Sequence, residues 1–483
     1  MKALKITILL VALLSVDSLL AATYHVPQDY ATVQAAIDVA QDSDTIIIAP
    51  GRYVGSGNRN INLNGKKITV RSTNPSDPQV VNSTIIDCEG ASNGFVFYTG
   101  ESADSKVAGL TIANGYAFLG GAIYCYGSSP TITDCVIVGN RAGLGGGIAC
   151  SGSASSPRIT SCWIKANSAM VGGGGIYCNS GSPTVRNCIL SGNYAPQGGA
   201  VYSQYAGNPL VANSSISANN AGLRAGGLYC AQASNMALSN TILWGNNAAY
   251  AAEALVGNSG ATTSMQVFYC DVKDREQNVI CDTGCSVDWG QGNTDVDPCF
   301  VQVGYPADSK TCDGGDYHLL TASACVDSGD PGFNPEPGET DIDGQPRVAG
   351  ARIDMGADER EAAATAIAAT VDVKPETLNL SSNAKHLLCA IKLGDGYNVA
   401  DIDVSSVRLN GSGPPIWSVI DEDEKKLLVK FDRSQVEGTL AAGSSPVSLT
   451  VSGNLNDGST CFEGTDTIRI LSASGKGKGL SKT

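Results

Sequence analysis

Gly174-Gly175-Ile176-Tyr177-Cys178, then Pro183-Thr184-Val185-Arg186-Asn187-Cys188-Ile189-Leu190, then Asn193, make up one copy of a unit that the chain repeats between Val107 and Tyr250. The Gly pair with its short apolar run returns at Gly120-Gly121-Ala122-Ile123-Tyr124-Cys125, Gly146-Gly147-Ile148-Ala149-Cys150, Gly198-Gly199-Ala200-Val201-Tyr202-Ser203 and Gly226-Gly227-Leu228-Tyr229-Cys230. A proline-led run returns at Pro130, Pro157 and Pro209, and an Asn closes each unit at Asn114, Asn140, Asn167, Asn219 and Asn246. Successive Gly pairs lie 24 to 28 residues apart. A period of that size marks a solenoid in which each coil contacts only its neighbours.

The apolar runs are three to five residues long, rich in β-branched residues and bracketed by Gly, Pro, Ser and Asn, so they are strands and not helix turns. Each unit supplies three strands with their corners, one turn of a parallel β-helix whose coils stack about 4.8 Å apart. Like residues then form ladders. Ile and Cys fall inside, the Gly pair allows a turn with positive φ, and the Asn column bonds from coil to coil.

The repeats resemble the right-handed parallel β-helix proteins of the pectate-lyase-like superfamily. So does the opening, Val26-Pro27-Gln28-Asp29-Tyr30 through Ile37, followed by Asp44-Thr45-Ile46-Ile47-Ile48-Ala49-Pro50-Gly51. In that family such a stretch is an amphipathic helix capping the first coil, followed by the first strand. Asp297-Pro298, Gly315-Asp316-Tyr317-His318, Asp327-Ser328-Gly329-Asp330 and Asp341-Ile342-Asp343-Gly344 through Glu359 look like the segment that ends many secreted bacterial β-helix proteins. The resemblance implies fold and export. It leaves activity open, because one fold hosts lyases, hydrolases, epimerases and adhesins.

The chain has 483 residues, enough for two or three domains. Lys2 and Lys5 precede an apolar run from Ile6 to Val16, and Ala21-Ala22 offers a small-residue cleavage site, which reads as a secretory signal peptide. The expected organisation is all-β: signal peptide 1–22, helix cap and first strand 23–55, right-handed single-stranded parallel β-helix 56–300, closing segment 301–362, linker 363–370, and tail 474–483. Residues 371–473 carry short alternating strands at the spacing of a small β-sandwich and resemble the immunoglobulin-like modules of secreted bacterial surface proteins.

All 16 Cys lie beyond the leader. Those in the repeats read as a buried ladder of small thiols, since Ser203, Ser214 and Thr241 fill equivalent positions. Disulfides are expected among Cys281, Cys285, Cys299, Cys312 and Cys325, and between Cys389 and Cys461. Formal net charge is −15, so nucleic acid and anionic membrane are poor partners, and no membrane span is expected after the leader. Between Val107 and Tyr250 stands one acid, Asp134, against Arg141, Arg158, Lys165, Arg186 and Arg224.

Chemistry on such a fold needs unlike charged side chains on adjacent coils. One Asp does not make the carboxyl pair of a glycosidase, and the acids that would hold calcium in a lyase are missing from the repeats. Arg141, Arg224, Lys165 and Arg186 are the bases left as catalytic candidates. Arg141 and Arg224 read as turn residues between the Asn and the Gly pair, three coils apart. Asp327, Asp330, Asp341 and Asp343 are the acids with spacing suited to calcium, the one cofactor suggested; turn chemistry and an Arg347 to Asp354 ion pair explain the same residues. With three histidines in the chain, His318 is assigned to the closing segment and no Ser-His-Asp set is supported.

Tyr124, Tyr177, Tyr202 and Tyr229 alternate with inward residues and so should face outward, one coil apart, as a platform for a glycan chain or as rings stacked over the surface. The expected function is therefore engagement of an extracellular polysaccharide or cell-surface glycan by binding, at a secreted or cell-surface location. The alternatives are a polysaccharide lyase or epimerase acting on a uronate polymer, and an adhesin or structural protein. The sequence leaves the oligomeric state open.

Overall fold

A computed structural model describes residues 21–471 apart from 258–261, 305–314, 321–322, 361–366, 381, 383, 395, 411, 438–445 and 457–459. Residues 1–20 of the leader, most of the Ala-rich linker, the tail and Cys312 lie outside the described residues. The repeats form a right-handed parallel β-helix with stacked sheets of eleven, nine, six and eight strands. One coil runs through Thr131–Thr133, Val136–Val138, Arg141–Leu144 and Ile148–Ser151 before the next begins at Arg158–Thr160.

Three strands per coil were expected, and the repeats have four. The segment between the Asn and the Gly pair is itself extended, and its strands build the six-stranded sheet. The Gly pair then folds the chain sharply onto the eight-stranded sheet. Gly173 takes φ of +67°, and a Cβ on Gly174 would collide with the carbonyl oxygen of Gly199 in the next coil. The first of the eleven strands, Thr23–Val26, precedes the helix Val33–Val39, which buries Val33, Ala36 and Ile37 in the coil core.

Inside, Ile123, Ile148, Ile176, Val201 and Leu228 stand in register on successive coils, all essentially unexposed. Cys125, Cys150 and Cys178 form the adjacent ladder, continued by Ser203 and Cys230. Cys162 N–H bonds to Cys188 Sγ at 3.4 Å, and Cys188 N–H to Ser214 Oγ at 3.2 Å, so the thiol and the hydroxyl serve the same place. Burial pushes the Cys135 and Cys162 thiols well up. The expected disulfides are not formed: Cys281, Cys285, Cys299 and Cys325 are free thiols, and so is Cys389, the intended partner of Cys461.

The buried Asn column runs Asn140 to Asn167 to Asn193 to Asn219 to Asn246, each side-chain amide donating to the next Oδ1 at 2.9 to 3.1 Å. Each Oδ1 also accepts the backbone N–H of the Asn before it, which satisfies polar groups that water cannot reach. Asn114 does not belong to the column. It takes φ of 57° and bonds to Asp87, while Gly115 fills the slot and donates its N–H to Asn140 Oδ1 at 2.7 Å.

In its described residues the closing segment covers a side of the coils. It lies along the outer face of the nine-stranded sheet, whose outward column Val136, Trp163, Ile189, Ser215 and Ile242 is largely apolar. Phe300, Tyr317, Leu319, Val326, Met355 and Ala357 pack against Ile189 and Ile242 there, and Ala357 N–H donates to Ser215 Oγ. An outward apolar column is removed from water by a second layer. Within the segment the buried Arg347 pairs with Glu359 at 3.1 Å and donates to the carbonyls of Asp354, Gly356 and Asp358; the expected Arg347 to Asp354 pair is replaced by this one.

From Ile367, inside the stretch expected as linker, the chain enters a second β unit with its own core, which includes Val373, Leu387, Phe431, Val451 and Phe462. Its longest pairing is Val447–Asn454 with Cys461–Leu471, and His386–Leu393 pairs with Ile367–Lys374 on one side and Lys426–Asp432 on the other. The strand Trp417–Asp421 stands at the end of the strand order.

Candidate functional site

The closing segment leaves the start of the apolar column partly uncovered, and a cleft of about 420 Å³ opens there. Its floor is Val136, Trp163 and Lys165 on adjacent coils. One wall is the loop and short helix around Pro75, Pro78 and Val81, and the other is His318 with Thr340 to Gly344. The helix Pro78–Ser83 is set by Asp77, whose carboxylate caps Gln79 N–H, and by Pro78 in its first turn.

Lys165 Nζ lies 4.9 Å from the centre of the Trp163 ring, and the His318 ring is 6.1 Å away on another side. His318 and Asp316 share a face of the strand Asp316–Leu319, while Tyr317 between them is buried in the layer beneath. His318 Nδ1 bonds to Asp316, and Nε2 lies 3.2 Å from both oxygens of Asp343. Burial by itself would lower the imidazole pKa, but the two carboxylates outweigh it and bring it up to about 10. Bonding to His318 in turn holds Asp343 below its ordinary value. His318 is thus a fixed imidazolium with both nitrogens engaged.

Asp134, at the corner between the eleven- and nine-stranded sheets, reaches the same cleft, and burial raises its pKa. A groove of about 300 Å³ continues past Asp134 and Ser161 between Lys106, Arg158 and Arg186 of the coils and Glu336 to Thr340 of the closing segment. Arg158 pairs with Glu336 at 2.8 Å and Arg186 with Glu339 at 3.3 Å, which ties the segment across the groove.

The structure therefore brings together Lys165, Asp341 and Asp343, with Arg186 in the adjoining groove. It separates the rest. Arg141 opens the strand Arg141–Leu144 and lines a different, shallow cleft with Arg52, Asp87, Glu89 and Tyr116. Arg224 ends the exposed strand Asn220–Arg224. Neither is the turn residue expected, because the Asn-to-Gly stretch is a strand.

The four acids suggested for calcium do not converge. Asp327 accepts Arg352 N–H, Asp330 accepts Gly332 N–H, and the buried Asp341 accepts the N–H groups of Asp343, Gln345 and Glu359. Among the described residues the grouping close enough to share an ion is His318, Asp343 and Asp358. Both ring nitrogens of His318 are engaged by carboxylates, so an ion at this grouping would have to displace a ring proton.

The tyrosine platform is corrected as well. The rings do point away from the coil interior, but they enter a covered corner. Tyr177 is 1% exposed, Tyr202 8% and Tyr229 7%. Tyr202 and Tyr229 stack at 4.8 Å with 7° between planes, and Tyr177 leans on Tyr202 at 5.8 Å. The chain folds back at the Gly pair so that the six-stranded sheet shields them, with Leu119, Leu144, Ala225 and Gly172 against the rings. Tyr124 is half-buried beside them.

Trp163 and His318 were missed because the closing segment returns to coils far earlier in the chain: Arg158 and Glu336 are 178 residues apart. A signal was present. The outward column Val136, Trp163, Ile189 and Ile242 is too apolar for a bare surface.

A protein-family model agrees on the fold. The family model described as right handed beta helix region matches residues 36–183. The solved crystal structure of pectate lyase Pel9A is similar with a TM-score of 0.40 and 13% identity, covering 70% of this chain and 96% of that one. No curated protein sequence matches the chain.

Proposed function

We propose that the protein works outside the cell and binds a polysaccharide or cell-surface glycan in the cleft under the closing segment. The observation that carries this is the Trp163 ring on the cleft floor, with Lys165 and the His318–Asp343 pair at its rim. An aromatic surface ringed by fixed charges supplies what a sugar needs: apolar area for the C–H face and directed partners for its hydroxyl groups. The adjoining groove between Lys106, Arg158 and Arg186 gives room for further units of a chain. The leader at 1–22 motivates the location.

Binding accounts for the site better than proton abstraction. A lyase or epimerase needs a base aimed at the substrate, whereas both His318 nitrogens are taken by Asp316 and Asp343 and Lys165 lies over the Trp163 ring. The test is affinity electrophoresis through gels that contain acidic or neutral polysaccharides. Trp163→Ala should weaken retention about tenfold, equivalent to about 1.4 kcal/mol, measured at a temperature where the variant is fully folded, since Trp163 also packs against the closing segment. Retention equal to the parent in every gel would remove the cleft from consideration.

A further inference from the structure

The strand Trp417–Asp421 is bonded on one side to Lys426–Asp432 and has no described strand on the other. Edges of this kind are normally blunted by charge, and this one is apolar on both faces. Ile416 is 54% and Ile420 41% exposed on one face; Trp417 is 43% and Val419 44% exposed on the other. Charge and proline stand only at the ends. Pro414-Pro415 leads in, and Asp421-Glu422-Asp423-Glu424 follows.

We infer that this edge pairs antiparallel with the same edge of a second copy of the chain. A two-fold axis at Ser418 places Trp417 opposite Val419 on one face and Ile416 opposite Ile420 on the other, so each apolar residue meets an apolar neighbour across the strands. The acidic run decides the direction. Parallel pairing would set the two runs of four acids against each other, whereas antiparallel pairing sets each run against the partner copy's uncharged Gly413-Pro414-Pro415. Trp417 is already braced, with Lys430 Nζ 4.4 Å from its ring centre, so little order remains to be lost on pairing.

Sedimentation of the full chain tests this, over about 5 to 500 µM because so short an interface is weak. The expected result is a shift from monomer to dimer with concentration, with slowed amide exchange at Trp417 to Ile420 in the dimer. Val419→Lys should return the protein to monomer at every concentration. Its melting temperature should not change, since Val419 is exposed, and this control separates lost pairing from lost folding. A monomer throughout would overturn the inference and leave the edge to a strand of another chain. A dimer that persists in Val419→Lys would overturn it too.

Discussion

The Asn246 side-chain amide donates to the buried Glu253 carboxyl at 2.6 Å, and with that bond the asparagine column ends. Asn246 N–H bonds to the same group at 3.2 Å. Glu253 thus does for the last rung what the next Asn does for every other. Burial raises its pKa from 4.5 to about 7, against the lowering effect of the two Asn246 bonds.

The folded chain therefore holds a Glu253 proton that the unfolded chain has released between about pH 4.5 and 7. The unfolded state binds fewer protons there, so stability falls as pH rises through that window and is level above it. Asp271, Asp354 and Glu359 are shifted in the same sense, so the Glu253 share is read as a difference. Glu253→Gln, which keeps the amide geometry of the column, should flatten the curve relative to the parent. Denaturant melts at several pH values check this; an equal slope in both proteins would contradict the assignment.

Tyr202 should matter for stability and not for binding. It is stacked on Tyr229 and shielded by the six-stranded sheet, so Tyr202→Ala opens a cavity in a packed corner and should cost about 3 kcal/mol. Retention on polysaccharide gels should match the parent wherever the variant is folded. Retention lost without loss of stability would restore the tyrosine column as a binding platform.

What could be read in the sequence was whatever repeats. Ile176 and its stack, the thiol ladder and the Asn column from Asn140 onward follow from a local period, because neighbouring coils contact each other in register. The count of strands was misjudged because Arg141 to Leu144 has no apolar run, and its extended shape comes from pairing with Tyr116–Leu119 and Ser168–Gly172 instead. Strand alternation gave the Tyr177 direction correctly but could not show that the Gly pair folds a sheet over it. The cleft depends on contacts between Trp163 and His318, which no period connects.

The charge state of His318 is open to direct measurement. Its pKa lies above the ordinary 6.5, so the stabilisation it gains from Asp316 and Asp343 is complete below about pH 6.5 and is lost as pH rises through about 10. The ring proton resonances of His318 should stay constant between about pH 6 and 8.5. Asp343→Asn should bring the midpoint down. Titration near 6.5 in the parent would mean that the His318 ring is not held between its carboxylates.

Product formation from uronate polymers is expected to be absent. Incubation with pectate, alginate, glycosaminoglycans and ulvan, with and without calcium, should give no rise in absorbance from unsaturated ends. A chelator-sensitive rise would overturn the binding reading and direct attention to Lys165, Asp134 and Asp341, which line the same cleft.

Arg347 links the stability of the closing segment to the cleft it walls. Its guanidinium is unexposed, pairs with Glu359 and holds the carbonyls of Asp354, Gly356 and Asp358, so it joins the turn around Gly344 to the strip that lies on the nine-stranded sheet. Arg347→Ala removes the one buried cation from Glu359, and a loss of about 3 to 5 kcal/mol is expected for such a break. The loss should be local, because the coils are held by their own ladders. Limited proteolysis should cut near Pro346 in the variant while the far-ultraviolet circular dichroism of the β-helix persists. Polysaccharide retention should fall with the wall, to the level of Trp163→Ala. If the segment is cut and retention stays intact, the glycan is held elsewhere on the coils.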